Sequence, residues 1–338
     1  MARRKKPRFL LALETSCDET SAAVLERGRI LSNIILSQDE IHSPYGGVVP
    51  ELASRQHIKT IDYVVAMSLS QAGVSLEDID LFAVTQGPGL IGSLLVGLTF
   101  AKGLAYYFHK PLIGVDHLQA HIEAAFLENP QIEYPVLALL VSGGHTSLYF
   151  LEKPLSYQLL GKTRDDAAGE CLDKVAKFLQ LGYPGGPVIE RLARGGDSSR
   201  FHFSLPRMKT AGYDFSFSGL KTAALKIIRE NRLTANHQLL RDFLASFEET
   251  VARALLENVH KALEEFRPAA LVLCGGVARN TRLRTRFSEL AAGCGLPSFV
   301  PSPRLCTDNA GMVGALAWKK YLAAPVTAAD LELDAYPR

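Results

Sequence analysis

The sequence predicts a duplicated α/β fold of two similar lobes, because two patterns of apolar and polar residues each occur twice. In the first pattern, an apolar run at residues 9–13 is followed by a polar turn and a second apolar run at 22–25. The same order returns with residues 136–141, a small polar turn and residues 148–150. Short apolar runs separated by polar turns are typical of paired strands. Each lobe is therefore expected to begin with a β-hairpin.

The second pattern is an apolar strand that leads through glycines into a helix. Residues 81–84 run into Gln-Gly-Pro-Gly at 86–89, and residues 271–273 run into Gly-Gly-Val-Ala at 275–278. Both patterns occur once in each half of the chain, which favours an internal duplication.

Helical segments separate the predicted strands, at residues 53–71, 167–181 and 238–266. Alternating strands and helices are typical of layered α/β folds. We place the boundary between the halves near residues 129–134. The resulting division is a basic tail at 1–8, a first lobe at 9–130, a second lobe at 131–325 with a helical insertion at about 155–265, and a C-terminal tail at 326–338.

The composition is that of an ordinary globular protein. Of the 338 residues, 47% are hydrophobic and 21% are charged, which excludes a disordered tail and a fibrous repeat. The net charge is only +2, so any contact with a polyanion must come from a local patch. The five cysteines are never spaced as Cys-x-x-Cys, which indicates neither a disulfide framework nor a zinc ribbon.

The N-terminus is basic from Arg3 to Lys6, but the apolar run that follows is short and ends at Glu14. A secretion signal needs a longer apolar region, and a membrane-spanning helix needs roughly 20 apolar residues. We therefore expect a cytoplasmic protein without a membrane segment, with its cysteines reduced.

Three turns have the composition of phosphate-binding turns. The hairpin tips at 14–20 and 142–146 are small and polar, so their N–H and hydroxyl groups are sterically accessible. The turn at 275–280 lies between a predicted strand and a predicted helix, where glycines permit close approach of a flat ligand. Two such hairpins followed by an adenosine-type turn resemble the layout of the actin, Hsp70 and sugar-kinase (ASKHA) superfamily, which implies two lobes around a nucleotide cleft.

His117 and His121 are candidate metal ligands. They stand four residues apart, so on a helix both imidazoles lie on one face, about 6 Å apart at Cβ, and can reach one ion. Asp116 and Gln119 resemble a capping box at the start of this helix. Asp308, at the start of the last predicted helix, supplies a third ligand. Two histidines and a carboxylate form a facial triad with open positions.

The histidine pair does not match a zinc peptidase. Those enzymes place a glutamate directly after the first histidine to activate water. Here that position is Leu118, and Glu123 lies on a different helix face. An ion with open positions could still polarise a carbonyl or hold hydroxyl and phosphate groups.

Eight motifs follow one another along nearly the whole chain. They are ETSCDET at 14–20, GGVVPE at 46–51 with ASR at 53–55 and His57, QGPGL at 86–90, the pair His117 and His121, VSGGHT at 141–146, FSFSGLKT at 215–222, GGVARN at 275–280, and Asp308 with Asn309. Together they closely resemble the TsaD family of tRNA adenosine threonylcarbamoyltransferases, once labelled O-sialoglycoprotein endopeptidases.

The resemblance implies an acyl transfer to the adenosine just 3′ of the anticodon, in tRNAs that read codons starting with A. The implied donor is threonylcarbamoyl-adenylate, which a separate synthase makes. The resemblance also implies one divalent metal per subunit, Fe²⁺ or Zn²⁺, on His117, His121 and Asp308. Bacterial members of the family act with an inactive paralogue, TsaB, and a small ATPase, TsaE.

The resemblance places donor binding on the second lobe. The residues concerned are Val141, Ser142, Gly143, Gly144, His145, Asp173, Gly186, Glu190 and Asn280. Glu190 stands where bacterial relatives often have aspartate. Asp18 and Glu19 could orient the attacking amine or the phosphate contacts of the first hairpin, and the sequence does not choose between a general base, a ligand-orienting group and an ion-pair partner.

Two surfaces are candidates for macromolecular contacts. For tRNA they are the tail Arg3 to Lys6 and the cluster Arg279, Arg282, Arg284 and Arg286, for which a solvated helix face is an equally good explanation. For the TsaB-like paralogue, the resemblance points to a helical face within residues 48–72. Val64, Met67 and Leu69 are the candidate contacts there, although burial in the core is the better explanation for each of them taken singly.

Two other functions stay open at this point. An ASKHA-type kinase would use ATP and Mg²⁺ to phosphorylate a small molecule, but Mg²⁺ sites favour carboxylates over paired histidines. A non-catalytic scaffold like the paralogue is the second alternative. The presence of both histidines, Asp308 and the turn at 142–144 argues against it.

Overall fold

The computed structural model of the protein describes residues 7–205, 212–231, 233, 236–326 and 332–337. The chain divides into two compact units, one made of residues up to 128 with those from 307 onward, the other of residues 129–306. Each unit contains a five-stranded sheet of mixed direction with helices packed against it. This arrangement confirms the predicted α/β class.

The first unit is built on strands β1 (Phe9–Glu14), β2 (Glu19–Glu26), β3 (Arg29–Ser37), β4 (Ile79–Gly87) and β5 (Leu112–Asp116). Their order in the sheet is β3-β2-β1-β4-β5. β1 and β2 form the predicted antiparallel hairpin, whereas β4 pairs with β1 and β5 in parallel. Every residue of β1 is buried, as expected for a central strand that is apolar from Phe9 to Leu13, and the burial includes Glu14 at its end.

The helices of the first half are α1 (Asp39–His42), α2 (Pro50–Ala72), α3 (Ile91–Phe108) and α4 (His117–Glu128). Pro50 starts α2, because its fixed φ suits the first helical position. Gly73 ends that helix in the left-handed conformation, with φ of 68°. α2 and α3 pack against each other and α2 also packs on β2 and β3, so these helices cover the sheet.

The second unit repeats the topology of the first. Its strands are β6 (Val136–Val141), β7 (Thr146–Leu151), β8 (Gln158–Lys162), β9 (Ala270–Cys274) and β10 (Ser298–Phe299). Their order, β8-β7-β6-β9-β10, matches the first sheet strand for strand, with the same parallel and antiparallel pairings. The structure thus confirms the predicted duplication.

The helices of the second unit are α5 (Ala168–Phe178), α6 (Gly185–Ala193), α7 (Ser218–Asn231), α8 (His237–Phe266), α9 (Thr281–Gly293) and α10 (Pro303–Cys306). The first four lie between β8 and β9 in the chain. They bury a phenylalanine-rich core that includes Phe217, Phe243, Phe247 and Phe287. The long helix α8 packs against both α6 and α9, which places α9 for the contacts described below.

The last helix, α11 (Ala310–Ala323), packs on β1, β2 and α4 of the first unit. The expected division had extended the second lobe to residue 325, so the structure differs from it here. Two small residues explain the close packing: a Cβ atom at Gly311 would lie 2.8 Å from Cδ1 of Ile30, and one at Gly314 would lie 2.3 Å from Cδ1 of Leu25.

Helix α3 has the length and apolar composition of a membrane span, the one such helix among the described residues. The sequence analysis had expected no run of that kind. Of its 18 residues, 33% are buried inside the fold. A single helix of this composition is weak grounds for membrane insertion, because core helices of globular proteins share it.

Candidate metal centre and glycine-rich turn

The structure brings His117, His121 and Asp308 together in the first unit. Oδ1 of Asp308 lies 3.0 Å from Nε2 of His121 and 3.6 Å from Nε2 of His117. One ligand atom from each of the three residues lies within 4.8 Å of the other two. The two imidazole rings meet edge to face, with centroids 4.6 Å apart. Three donor atoms therefore converge on one point.

Local capping places these ligands. Asp116, the last residue of β5, accepts a hydrogen bond on Oδ1 from the backbone N–H of Gln119 at 2.9 Å, which starts α4 as predicted. His117 and His121 are then one turn apart on that helix. Asn309 caps α11 in the same way, accepting from the N–H of Met312 at 3.0 Å. Asp308 directly precedes this cap.

A second layer of side chains holds His117. Its Nδ1 lies 3.0 Å from Oε2 of Glu14 and 3.2 Å from Oγ of Ser16. Thr85 donates to the same oxygen of Glu14 at 2.6 Å, and Glu14 is fully buried. The sequence analysis assigned no role to Glu14 or Thr85. A glutamate at the end of an otherwise apolar strand was the available signal.

The two histidines differ in electrostatics. Burial by itself lowers the pKa of His117, but the carboxylates of Asp308 and Glu14 outweigh burial and raise this pKa to about 9. Burial raises the pKa of Glu14, yet His117 outweighs it and the net shift is downward. The pKa of His121 is lowered, chiefly by burial. One imidazole thus favours a positive charge, and the other favours the neutral form.

The donor set fits a divalent transition metal. Two imidazole nitrogens and one carboxylate oxygen are ligands that Fe²⁺ and Zn²⁺ accept. Because Glu14 holds Nδ1 of His117, the nitrogen directed at Asp308 is Nε2, as in metal sites whose histidines are fixed by an outer carboxylate. Nδ1 of His121 is buried and has no hydrogen-bond partner among the described residues.

Glu123 does not take part in this cluster. It is fully buried and forms an ion pair with Lys319 of α11. Lys319 also lies over the ring of Phe126, 4.1 Å from its centroid. Glu123 therefore pairs α4 with α11, which agrees with its expected place on a different helix face from the histidines.

Asp18 lies in the turn between β1 and β2, Glu19 is the first residue of β2, and both carboxyl groups interact electrostatically with Asp308. Burial raises the pKa of Asp18. The pKa of Glu19 is raised well above its usual value, by burial first and then by Asp18 and Asp308. Carboxyl groups that interact in this way do not all ionise easily, so the turn favours a cation or a proton.

His57, on α2, fixes this turn. Its Nε2 donates to the carbonyl oxygen of Cys17 at 2.9 Å, and its Nδ1 lies 2.8 Å from Oγ1 of Thr20. Gln38 lies 3.4 Å from the same nitrogen. In the sequence, His57 stands out only as part of a motif. The structure shows a buried side chain that ties both ends of the acidic turn to a helix.

In the second unit, the turn at 142–145 joins β6 to β7. The N–H of Ser142 donates to the carbonyl of His145 at 2.8 Å, and the N–H of His145 donates to Oγ of Ser142 at 3.1 Å. A Cβ atom at Gly143 would meet nothing within 4 Å, so this face of the turn is open.

Two further glycines support the turn from behind. A Cβ atom at Gly169 would lie 2.6 Å from the carbonyl oxygen of Ser142, and one at Gly275 would lie 2.4 Å from that of Val141. Gly275 also has φ of 90°, which L side chains rarely adopt. Gly169 was not among the site residues expected from the sequence, although a glycine at a predicted helix start was a signal for it.

The remaining expected donor residues make contacts within the second unit. Asp173 on α5 accepts from the N–H of Gly185 at 2.7 Å, next to Gly186 in the first turn of α6. Glu190 accepts from the N–H of Thr281 at 3.2 Å. Asp173 lies one helical turn after Gly169, on the helix that touches the glycine-rich turn.

Asn280 caps α9. Its side-chain oxygen accepts from the N–H of Leu283 at 2.9 Å, and its amide nitrogen donates to Glu248 at 2.6 Å. Both polar atoms of this side chain therefore have partners in the protein, so a ligand would have to share or replace them.

The arginine cluster of α9 is paired rather than free. Arg282 contacts Glu248 and Glu249, each at 2.9 Å, and Arg286 contacts Glu249 at 2.9 Å. Arg284 donates to the backbone carbonyls of Ala278 and Pro301. Acidic side chains of α8 thus pair with Arg282 and Arg286, whereas Arg279, which precedes α9, is exposed. That the cluster tracks tRNA phosphates stays a prediction. The basic residues Arg3 to Lys6 lie outside the described residues.

The three apolar candidates on α2 divide between the core and the surface. Val64 and Leu69 are buried against the first sheet, so the expectation that they meet a partner is wrong for these two. Met67 is 42% exposed. The buried side chains of α2 recur every three to four residues, and Met67 lies outside that stripe.

Known proteins of one family are similar to this chain over most of its length. The profile of one family, TsaD: tRNA N6-adenosine threonylcarbamoyltransferase, matches residues 29–315. A tRNA N6-adenosine threonylcarbamoyltransferase from Thermodesulfovibrio yellowstonii is 49% identical over 332 residues, covering 97% of this chain and 99% of the relative. A protein of the same name from Acaryochloris marina is 51% identical over 309 residues, covering 90% and 86%.

Solved structures share the fold at low sequence identity. Component A of (R)-2-hydroxyglutaryl-CoA dehydratase from Acidaminococcus fermentans gives a TM-score of 0.57 at 16% identity, covering 93% of this chain and 99% of that chain. HypF from T. kodakarensis gives 0.61 at 16% identity, covering 95% and 48%. These likenesses concern the fold alone, and they confirm the predicted ASKHA-type architecture.

Proposed function

The chain belongs to the TsaD family of tRNA N6-adenosine threonylcarbamoyltransferases, and from this premise we propose how its residues divide the work. The donor is threonylcarbamoyl-adenylate. The exocyclic amine of the adenosine 3′ of the anticodon attacks the carbamate carbonyl, and a C–N bond forms. The bond between the carbonyl carbon and the phosphate oxygen breaks, and AMP leaves. The proton that the amine loses passes to a base. Since no protein nucleophile is required, the protein contributes binding, orientation and electrostatic stabilisation.

The convergence of His117, His121 and Asp308 is the observation that carries this proposal. These three residues would hold one divalent ion, Fe²⁺ or Zn²⁺. Such an ion, when bound, supplies Lewis-acid polarisation and an anchor for donor oxygens. Glu14 keeps His117 in the orientation and tautomer that binding needs.

The adenylate is held by the second unit. The open turn formed by Val141, Ser142, Gly143, Gly144 and His145 presents N–H groups to the phosphate. Asp173, Gly186, Glu190 and Asn280 complete the proposed site. Their carboxylates and amide suit the hydroxyl groups of a ribose and the edge of an adenine.

Asp18 and Glu19 orient the attacking amine. Asp18 lies in the turn after β1 and Glu19 opens β2, and burial is the main cause that raises the pKa of both carboxyl groups. A carboxylate with a raised pKa is a better proton acceptor than an exposed one, which suits the proton that the amine loses. The target base has to leave the stack of the anticodon loop to reach these groups.

A TsaB-like paralogue fits an apolar surface on α2 and α3. Exposed side chains there are Ile58 (65%), Tyr63 (59%), Met67 (42%), Ile91 (48%) and Leu95 (49%). The two helices pack against each other, so these side chains belong to neighbouring elements. Exposed apolar clusters of this kind mark protein interfaces. A TsaE-like ATPase, tRNA and a cytoplasmic location complete the proposal.

The test combines metal analysis with transfer of a labelled threonylcarbamoyl group to tRNA. The purified protein is expected to hold about one Fe²⁺ or Zn²⁺ per chain, as a three-ligand site predicts, and to label tRNA only when the adenylate donor, the paralogue and the ATPase are present. His117→Ala should lose both metal and labelling while remaining folded by circular dichroism. Phosphorylation of a small molecule by ATP without tRNA labelling would favour the kinase alternative, and a lack of both activities would favour the scaffold.

A further inference from the structure

The C-terminal segment, residues 332–337, lies against the ends of β4 and β5 in the first unit. The N–H of Tyr336 donates to the carbonyl of Gln86 at 2.9 Å, and its hydroxyl donates to Oδ2 of Asp116 at 2.6 Å. Leu333 and Ala335 pack against the core of the unit. Main-chain, side-chain and apolar contacts together hold this segment on the strand ends.

Two glycines shape the seat of this segment. A Cβ atom at Gly87 would lie 2.4 Å from the carbonyl oxygen of Tyr336 and 2.6 Å from its ring. One at Gly114 would lie 1.9 Å from Oε1 of Gln86 and 2.9 Å from Cδ2 of Leu333. Side chains cannot approach this closely, so glycine at the end of β4 and in the middle of β5 leaves room for the segment.

Asp116 connects the segment to the metal-binding helix. Oδ1 of Asp116 caps α4 through the N–H of Gln119 at 2.9 Å, while Oδ2 receives the hydroxyl of Tyr336. Asp116 is also paired with Gly87 across the sheet. The next residue in the chain is His117. The carboxylate of Asp116 therefore accepts a hydrogen bond from α4 on one oxygen and a hydrogen bond from Tyr336 on the other.

We propose that residues 332–337 are a strap that fixes the start of α4, and that Tyr336 is a positioning residue for His117. The inference rests on the metal site of the proposed function. The hydroxyl of Tyr336 holds the side-chain rotamer of Asp116, the cap holds the first turn of α4, and the first turn directs Nε2 of His117 towards Asp308. If the side chain of Asp116 loses this contact, His117, the ligand nearest the cap, is the first to lose its fixed position.

The test measures metal affinity with Co²⁺ and Zn²⁺ on the metal-free full-length chain, by competition with a chromophoric chelator. Tyr336→Phe removes one hydroxyl and keeps the ring in its seat. We expect affinity to fall roughly 3–10-fold, less than the 10–100-fold typical of a direct partner of a ligand, because Tyr336 acts one layer further out. The absorption bands of bound Co²⁺ should shift as well. Tyr107→Phe, at a tyrosine that is 76% exposed on α3, is the matched control and should bind as wild type does.

A double-mutant cycle separates positioning from general stability. Asp116→Ala removes both the cap and the acceptor of the Tyr336 hydroxyl, whereas Asp116→Asn keeps a side chain that can make both bonds and should restore most of the affinity. In the Asp116→Ala background, Tyr336→Phe should cause no further loss, because the two residues act through one contact.

Two results would overturn the strap. One is wild-type metal affinity in Tyr336→Phe accompanied by a lower melting temperature, which would make the segment a stabiliser of the fold only. The other is an additive loss in the double variant. If the wild-type chain binds neither ion, or binds both ions no more tightly than His117→Ala does, the proposed metal site is wrong. The role of the strap is then wrong as well.

Discussion

Nδ1 of His117 lies 3.0 Å from Oε2 of Glu14, and this contact decides which nitrogen of the ring faces Asp308. Glu14→Gln keeps the shape but replaces an anionic acceptor with a neutral amide. We expect metal affinity to fall about 10–100-fold, as for other outer partners of ligating histidines. Chelator competition measures the loss, and Glu77→Gln, at an exposed position of the same unit, is the control. Unchanged affinity in Glu14→Gln would mean that Glu14 does not orient the ligand.

The hairpins, the glycine turns and the histidine pair could be predicted from the sequence because their signals are local. Apolar runs gave β1 and β6, and the spacing of His117 and His121 placed both on one helix face. Contacts between distant parts of the chain have no such signal. Glu14 and His117 are 103 residues apart, and only folding shows that they meet.

The arginines of α9 also show that contacts between distant parts of the chain have no local signal in the sequence. Their sequence suggested a basic surface, but the acids that pair with Arg282 and Arg286 stand on α8, more than 30 residues away in the chain. A charge pattern within one helix does not reveal partners on another helix. The same holds for Val64 and Leu69, whose burial depends on the sheet beneath α2.

Gly169 is predicted to be required for donor binding. In Gly169→Ala the new methyl group would lie 2.6 Å from the carbonyl oxygen of Ser142, so the turn at 142–145 must shift. We expect the affinity for a stable adenylate analogue, measured by calorimetry, to fall at least tenfold. This loss corresponds to about 1.4 kcal/mol or more of binding free energy. Gly293→Ala, at the end of α9, is the control, because a Cβ atom there meets nothing within 4 Å. Equal affinity in the two variants would remove the turn from the donor site.

Gly144→Val is a second probe of the same turn. The bulky side chain should block the approach of the adenylate phosphate to the N–H groups of the turn. Binding of the analogue by a folded Gly144→Val variant with wild-type affinity would contradict the proposed position of the phosphate.

His57 is predicted to make stability depend on pH. Its pKa is lowered, first of all by burial, so the unfolded chain binds a proton more readily than the folded protein. The contribution of His57 is complete above about pH 6.5, the ordinary histidine pKa, and is lost as the pH falls from there through the folded-state pKa. Urea unfolding at several pH values measures it.

The variant His57→Gln should be less stable than wild type at pH 8 but should lose less stability on acidification. The contribution of His117 is common to both proteins and cancels in the difference. His260→Gln, at an exposed position on α8, should keep the wild-type pH dependence. A steeper acid loss in His57→Gln than in wild type would contradict this assignment.

The last prediction concerns Arg282, which joins α9 to α8. Its Nε lies 2.9 Å from Glu248 and its Nη1 lies 2.9 Å from Glu249, two glutamates that are nearly buried. Burial raises the pKa of Glu249, but Arg282 and Arg286 outweigh burial and lower it, so the carboxylate is charged and needs its partners. Arg282→Ala leaves these charges without that partner and should cost about 1–3 kcal/mol of unfolding free energy. Arg304→Ala, at an exposed position, is the control.

The same variant decides whether α9 contacts tRNA. A side chain that neutralises a phosphate contributes roughly one unit to the slope of log K against log salt concentration, so its removal flattens that slope. Because Arg282 is occupied by Glu248 and Glu249, we expect the slope in Arg282→Ala to equal that of wild type in filter-binding titrations. A slope lower by about one unit, with unchanged stability in urea, would show instead that the arginine leaves its glutamates for the tRNA backbone.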